Sequence, residues 1–164
     1  GMMACGKSQT GPILAELLRY KYIDLDKLIE KIVQKTINEI FQEDGEKEFR
    51  DLETSCLKET IKIPSLVIST GGGIVTKPEN WGVLRQGIII WIDIKQEIAL
   101  KRLKNDIDNR PLLQGEDLSE KYRRIFESRK NLYSQADLRV EVANEKVEEV
   151  AKKIIYEIHK KIIN

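Results

Sequence analysis

Histidine and cysteine are scarce in this 164-residue chain, which has one histidine, His159, and two cysteines, Cys5 and Cys56. Two thiols make neither a disulfide framework nor a metal cluster. A lone histidine in a charged C-terminal segment gives no footing to His-based catalysis or zinc hydrolysis. Long hydrophobic runs are missing as well. The longest, Ile88 to Ile92, is far short of the roughly 20 residues that cross a bilayer. Nor does one charge dominate, since 28 Lys and Arg against 27 Asp and Glu leave +1. That balance excludes the basic footprint of a nucleic-acid or membrane-surface partner. No secretory signal, repeat or low-complexity segment stands out. The expectation is a soluble intracellular protein.

What is present reads as one globular domain, 1–164. Apolar residues make up 41% and charged residues 34%, a globular balance. Helical spacing marks about Ser8 to Leu18, a segment from Leu28, Thr36 to Phe41, Lys47 to Ile61, Pro78 to Arg85, a segment around Ile98 to Leu103, Leu118 to Ser134, and a closing amphipathic helix through Val150, Ala151 and Ile154. Strand-like runs are Tyr22-Ile23, Leu66 to Ser69, Ile88 to Ile92 and Leu138 to Val142. Strands separated by helices predict a three-layer α/β fold with a parallel sheet. Ligands in such sheets sit at the carboxyl ends of strands. Asp24, Gly71–Gly73 and the N-terminal loop all fall at such ends, which predicts a single site.

The N-terminal loop carries the sharpest motif. Gly1, Gly6, Lys7 and Ser8 fit G-x-x-x-x-G-K-[ST], a loop whose backbone N–H groups converge on phosphate oxygens at a helix N-terminus. Lys7 would reach the outer phosphates and Ser8 a Mg²⁺ ion. Further candidates follow: Asp24-Leu-Asp26, Arg50 with Glu53, Thr70-Gly-Gly-Gly73, Arg110-Pro-Leu-Leu113, and Arg129 to Tyr133. Each also has a plainer reading. Asp24 is a good helix N-cap, Asp26 suits a helix first turn, and Arg50 with Glu53 makes an ordinary i,i+3 ion pair.

Taken in order and spacing, these elements closely resemble the shikimate kinase family from end to end. The Gly-Met-Met opening and Glu79-Asn80-Trp81 resemble its plant and cyanobacterial branch. The resemblance implies a P-loop, nucleoside-monophosphate-kinase-like fold with strand order 2-3-1-4-5. It implies transfer of a phosphoryl group from ATP, with Mg²⁺, to the 3-hydroxyl of shikimate. Nucleotide contacts would come from Gly1, Ala4, Cys5, Gly6, Lys7, Ser8, Gln9, Arg102 and Arg110. Asp26, Arg50, Gly71, Gly72, Gly73 and Arg129 would hold shikimate, and Ser8 and Asp24 would hold the metal. Lys7, Asp24 and Arg110 would carry the chemistry, with a lid at about 111–122 and substrate-binding helices within about 26–61. The expected protein is a monomer, cytoplasmic or in the plastid stroma of a plant. Two rival readings stay open: another P-loop metabolite kinase of gluconate or nucleotide type, or a catalytically silent binding module.

Three residues depart from the family pattern. Ala4 replaces a loop glycine, at about 1 kcal/mol or more if its φ is positive. Pro12 is tolerated in a first helical turn but costs about 3 kcal/mol further in. Gln34 replaces a frequent glycine near a helix end, with little consequence expected. The resemblance also implies a central strand directly before the loop. The sequence begins at the loop itself, so the expected sheet lacks its first strand, which an apolar segment upstream of Gly1 would supply.

Overall fold

Residues 1–104 and 117–163 are described by the computed structural model. Arg110 and the 111–116 part of the expected lid lie outside the described residues. Helix α1 (Lys7–Leu18) starts directly from the N-terminal loop and buries Thr10, Gly11, Leu14 and Ala15, while Leu17 stays 47% exposed. Gly11 is required by packing. A Cβ there would lie 2.6 Å from Ser69 Oγ and collide with the Tyr22 ring. Pro12 sits on the exposed side of α1 beyond its first turn, where it has no N–H for the Ser8 carbonyl. The helix nevertheless continues to Leu18.

Strand β1 (Lys21–Asp24) pairs in parallel with β2 (Leu66–Ser69), setting Ile23 opposite Ile68 and Asp24 opposite Ser69. Between them run α2 (Leu25–Val33), α3 (Ile37–Glu43) and α4 (Gly45–Thr60). A capping box starts α3: Thr36 N–H donates to Glu39 Oε2 at 2.6 Å, and Glu39 N–H donates to Thr36 Oγ1 at 3.2 Å. After β2 come a 3₁₀ turn (Ile74–Thr76) and α5 (Pro78–Leu84). Strand β3 (Ile90–Ile94) then pairs in parallel with β4 (Leu138–Val142), with α6 (Gln96–Leu103) and α7 (Leu118–Tyr133) between them. Helix α8 (Val147–Ile163) closes the chain and packs Val150, Ala151 and Ile154 towards α1 and β4.

One expectation changes. Strand β3 begins two residues later than the Ile88 to Ile92 run implies. Ile89 N–H donates to the Asp137 carboxylate, Ile88 is 48% exposed, and regular pairing starts only where Ile90 meets Leu138. The sheet is in two halves, β1-β2 and β3-β4, as an order of 2-3-1-4-5 without its first strand leaves it. Between β2 and β3 lies a cavity of about 480 Å³ of mixed lining, bordered by Leu66, Ile68, Ile90 and Ile92 and also by Lys7, Thr10 and Ser69. The element order and helix flanks match a P-loop kinase fold whose sheet is open at its centre.

Positive φ falls where two of the departures stand. Ala4 has φ 60° and Gln34 φ 59°, the latter as the left-handed C-cap of α2. The Gln34 replacement therefore has a cost after all, because a Cβ disfavours this region. Gln34→Gly and Ala4→Gly are each expected to raise stability by about 1 kcal/mol, or roughly 2–4 °C in Tm for a chain of this size. Thermal melts of the two variants check this.

Candidate active site

The loop between Gly1 and α1 ends on Gly6 at φ 95°, which caps α1 without any side-chain hydrogen bond. The first N–H groups of α1 are thus left uncapped by a side chain, the arrangement that receives an anion. Lys7 Nζ donates to the carbonyls of Gly1 (2.9 Å) and Met2 (2.8 Å) and approaches Cys5 Sγ at 3.4 Å. Burial pushes the Cys5 thiol up, but the Lys7 charge, the N-terminal charge and hydrogen bonding to Lys7 together outweigh it and hold the thiol below its ordinary value. Arg102 on α6 braces the loop by donating to the Ala4 carbonyl at 3.1 Å. Ser69, at the end of β2, donates its hydroxyl to the Lys7 carbonyl at 2.9 Å.

Parallel pairing brings Asp24 and Ser69 to the same end of the sheet. Asp24 caps α2 by accepting from Lys27 N–H through Oδ1 at 3.3 Å, and Tyr22 Oη lies 3.4 Å from its other oxygen. A second cavity of about 480 Å³ opens here. Ala4, Gly6, Lys7, Ser8, Gln9 and Arg102 border it on the loop side, and Asp24, Asp26, Gly71 and Gly72 face them. Phosphate loop, acidic pair and glycine run therefore share one space. Gly1 and Cys5 do not border it: the Gly1 carbonyl is occupied by Lys7, and Cys5 turns into the core at 2% exposure.

Arg50, Gly73 and Arg129 form a buried layer beside that cavity rather than its lining. Arg50 Nη1 donates to Glu53 Oε2 at 2.8 Å, Nη2 donates to Glu46 at 3.1 Å, and the guanidinium lies over the Phe49 ring at 5.1 Å. Burial opposes the Arg50 charge, but Glu53 and Glu46 outweigh it and hold its pKa above the ordinary value. The guanidinium occupies the place where a side chain on Gly73 would begin. Any residue other than glycine there would displace Arg50. Arg129 approaches the same run, with Nη1 3.7 Å from where a Cβ on Gly72 would sit. Phe49 is core, 4% exposed and paired with the Phe41 ring at 4.9 Å.

Two residues are more central than their spacing suggests. Glu53 is fully buried, with Oε1 lacking any hydrogen-bond partner among the described residues. A Cβ on Gly71 would lie 2.7 Å from that oxygen and 3.0 Å from Asp26 Oδ1. Burial raises the Glu53 carboxyl against the pull of Arg50, and Asp26 raises it further. Its i,i+3 relation to Arg50 was the only signal in the sequence. Tyr133 donates its hydroxyl to the Gly72 carbonyl at 2.6 Å and stacks on Trp91. Nothing in its pattern marked it beyond its place four residues after Arg129.

Chain-wide comparisons give the family. Residues 3–159 match the family model described as shikimate kinase. A shikimate kinase of Prochlorococcus marinus (strain NATL2A) is 52% identical over 151 residues, covering 92% of this chain and 76% of that protein. One from Microcystis aeruginosa is 49% identical over 144 residues, covering 88% of this chain and 75% of that protein. Among solved structures, shikimate kinase from Acinetobacter baumannii in complex with shikimate superposes with a TM-score of 0.96 at 36% identity, covering all of this chain and 92% of the other. A deoxyadenosine kinase from M. mycoides with bound dCTP, at 15% identity and TM-score 0.53, shares the fold alone, covering 98% of this chain and 96% of the other. On its motifs, its fold and these matches, the chain belongs to the shikimate kinase family.

Proposed function

We infer that this protein transfers the γ-phosphoryl group of ATP to the 3-hydroxyl of shikimate, giving ADP and shikimate 3-phosphate, a step towards chorismate and the aromatic amino acids. The observation that carries this reading is the convergence at one sheet end of Lys7 and Ser8 with Asp24, Asp26 and the glycine run. Arg50 and Arg129 stand directly behind that run. A gluconate- or nucleotide-type kinase has no evident use for two arginines beside one glycine run. A silent binding module has no physical need for the whole set.

In this reading the loop amides and Lys7 hold the β- and γ-phosphates. Gln9 and Arg102 line the nucleotide side, and Asp26 accepts hydrogen bonds from substrate hydroxyls. Arg50 and Arg129 hold the substrate carboxylate, a task suited to planar guanidinium forks. The 3-hydroxyl oxygen attacks the γ-phosphorus, the bond to the β-phosphate oxygen breaks, and Asp24 takes the hydroxyl proton. Ser8 and Asp24 border one cavity and offer only oxygen donors, which suits Mg²⁺, an ion that keeps several waters and takes few protein ligands. Bound there, Mg²⁺ would offset charge on the phosphates. Arg110 would add a further cation to the transferring group from the lid. The remaining proposals are a single domain over 1–164, a monomer, and a cytoplasmic location. Among the described residues no helix is long and apolar enough to cross a membrane.

A coupled ADP-release assay over shikimate, gluconate and nucleosides tests the substrate. Turnover of shikimate alone is expected, and turnover of the others without shikimate would overturn the reading. Asp24→Asn separates cap from catalyst, because Asn caps helices as well as Asp does. The variant should melt within a degree or two of the parent yet lose about 10²–10⁴-fold in kcat. Arg50→Lys keeps the charge but loses the fork, and should raise KM for shikimate about tenfold or more with KM for ATP little changed.

A further inference from the structure

We propose that Tyr133 is a positioning residue for the substrate carboxylate, fixing the Gly72–Gly73 peptide beside Arg50 and Arg129. The inference rests on reading Arg50 and Arg129 as the carboxylate clamp. Tyr133 is 2% exposed, and its hydroxyl donates to the Gly72 carbonyl at 2.6 Å. Arg129 comes to the same point: its Nη1 lies 3.7 Å, and Tyr133 Oη 3.2 Å, from where a Cβ on Gly72 would sit.

Two consequences follow from the bond to Gly72. The Gly72–Gly73 peptide is trans, so its C=O and N–H point in opposite directions. Drawing the carbonyl towards Tyr133 turns the Gly73 N–H away from it. The Arg50 guanidinium stands at Gly73 and Arg129 approaches Gly72, so one hydroxyl sets the orientation of a peptide that lies beside both arginines. The phosphate side is tied to the same point. Met2 Sδ lies 3.6 Å from Tyr133 Oη, and the Gly1 carbonyl, which accepts from Lys7, lies 3.0 Å from where a Cβ on Gly72 would sit. The ring itself is held independently of the hydroxyl by its stack on Trp91, with centroids 5.8 Å apart. Removing the hydroxyl therefore leaves the ring seated.

Tyr133→Phe is the test, assayed with shikimate and with shikimate methyl ester, whose neutral ester group cannot use the clamp. The expected result is a rise of about tenfold in KM for shikimate, with KM for ATP and for the ester within about twofold of the parent. Equal losses on acid and ester, a matching loss for ATP, or no change in KM for shikimate would each overturn the proposal. Failure of the clamp reading looks different: the parent enzyme itself would then treat acid and ester alike. Ile154→Val, a core change away from the site, serves as the stability control and should leave all three KM values within about twofold.

Discussion

The arrangement of this site depends on one buried charge pair. Arg50 is 8% exposed and Glu53 not at all, so neither charge is solvated by bulk water and each needs the other. Removing one partner of such a pair typically costs about 3–5 kcal/mol, because the survivor stays buried and charged. The pair lies under the glycine run, and this explains the run. The guanidinium fills the side-chain position of Gly73, and the free oxygen of Glu53 fills that of Gly71. Three glycines in succession are therefore more than a flexible turn. They are the only backbone that lets strand β2 end directly against a buried ion pair, leaving main-chain amides next to two arginines.

Much of this was legible in the sequence. The loop motif, the strand ends at Asp24 and Ser69, and the i,i+3 spacing of Arg50 and Glu53 are local patterns, and local patterns survive folding. Burial and long-range contacts were not legible. Glu53 read as a brace on a helix surface, because spacing alone cannot say that α4 presses this face onto Gly71. Tyr133 bonds a residue 61 positions away, and only assembly of α7 against the glycine run reveals it. The displaced start of β3 has the same origin. Ile88 and Ile89 are as strand-prone as the residues that follow, but their partner strand begins at Leu138.

The substitutions that favoured a silent module weigh less once their surroundings are known. Ala4 does adopt positive φ, yet its carbonyl is taken by Arg102, so the loop holds its shape with the strain in place. Pro12 lies on the exposed face of α1, away from the packing of Gly11 against Tyr22 and Ser69. A cost of about 3 kcal/mol would bear on the stability of α1 as a whole and not on the aim of its N-terminus. Neither change replaces a side chain of Lys7, Ser8 or the acidic pair. Pro12 leaves the Ser8 carbonyl without its helical N–H, and Ala4 borders the cavity shared with Lys7 and Ser8.

Asp24 shows why the plainer reading of a residue need not compete with the functional one. An ionised carboxylate has about four lone-pair positions. Lys27 N–H takes one on Oδ1, and the Tyr22 hydroxyl approaches one on Oδ2. Two remain, and the side chain borders the cavity shared with Lys7 and Ser8. The cap fixes the carboxylate at the N-terminus of α2, so in the proposed reaction it would need no further ordering when substrate arrives. A more mobile acid would have to be ordered in each turnover. In the proposed reaction, capping and proton transfer would draw on different lone pairs of one group, with the helix supplying the orientation.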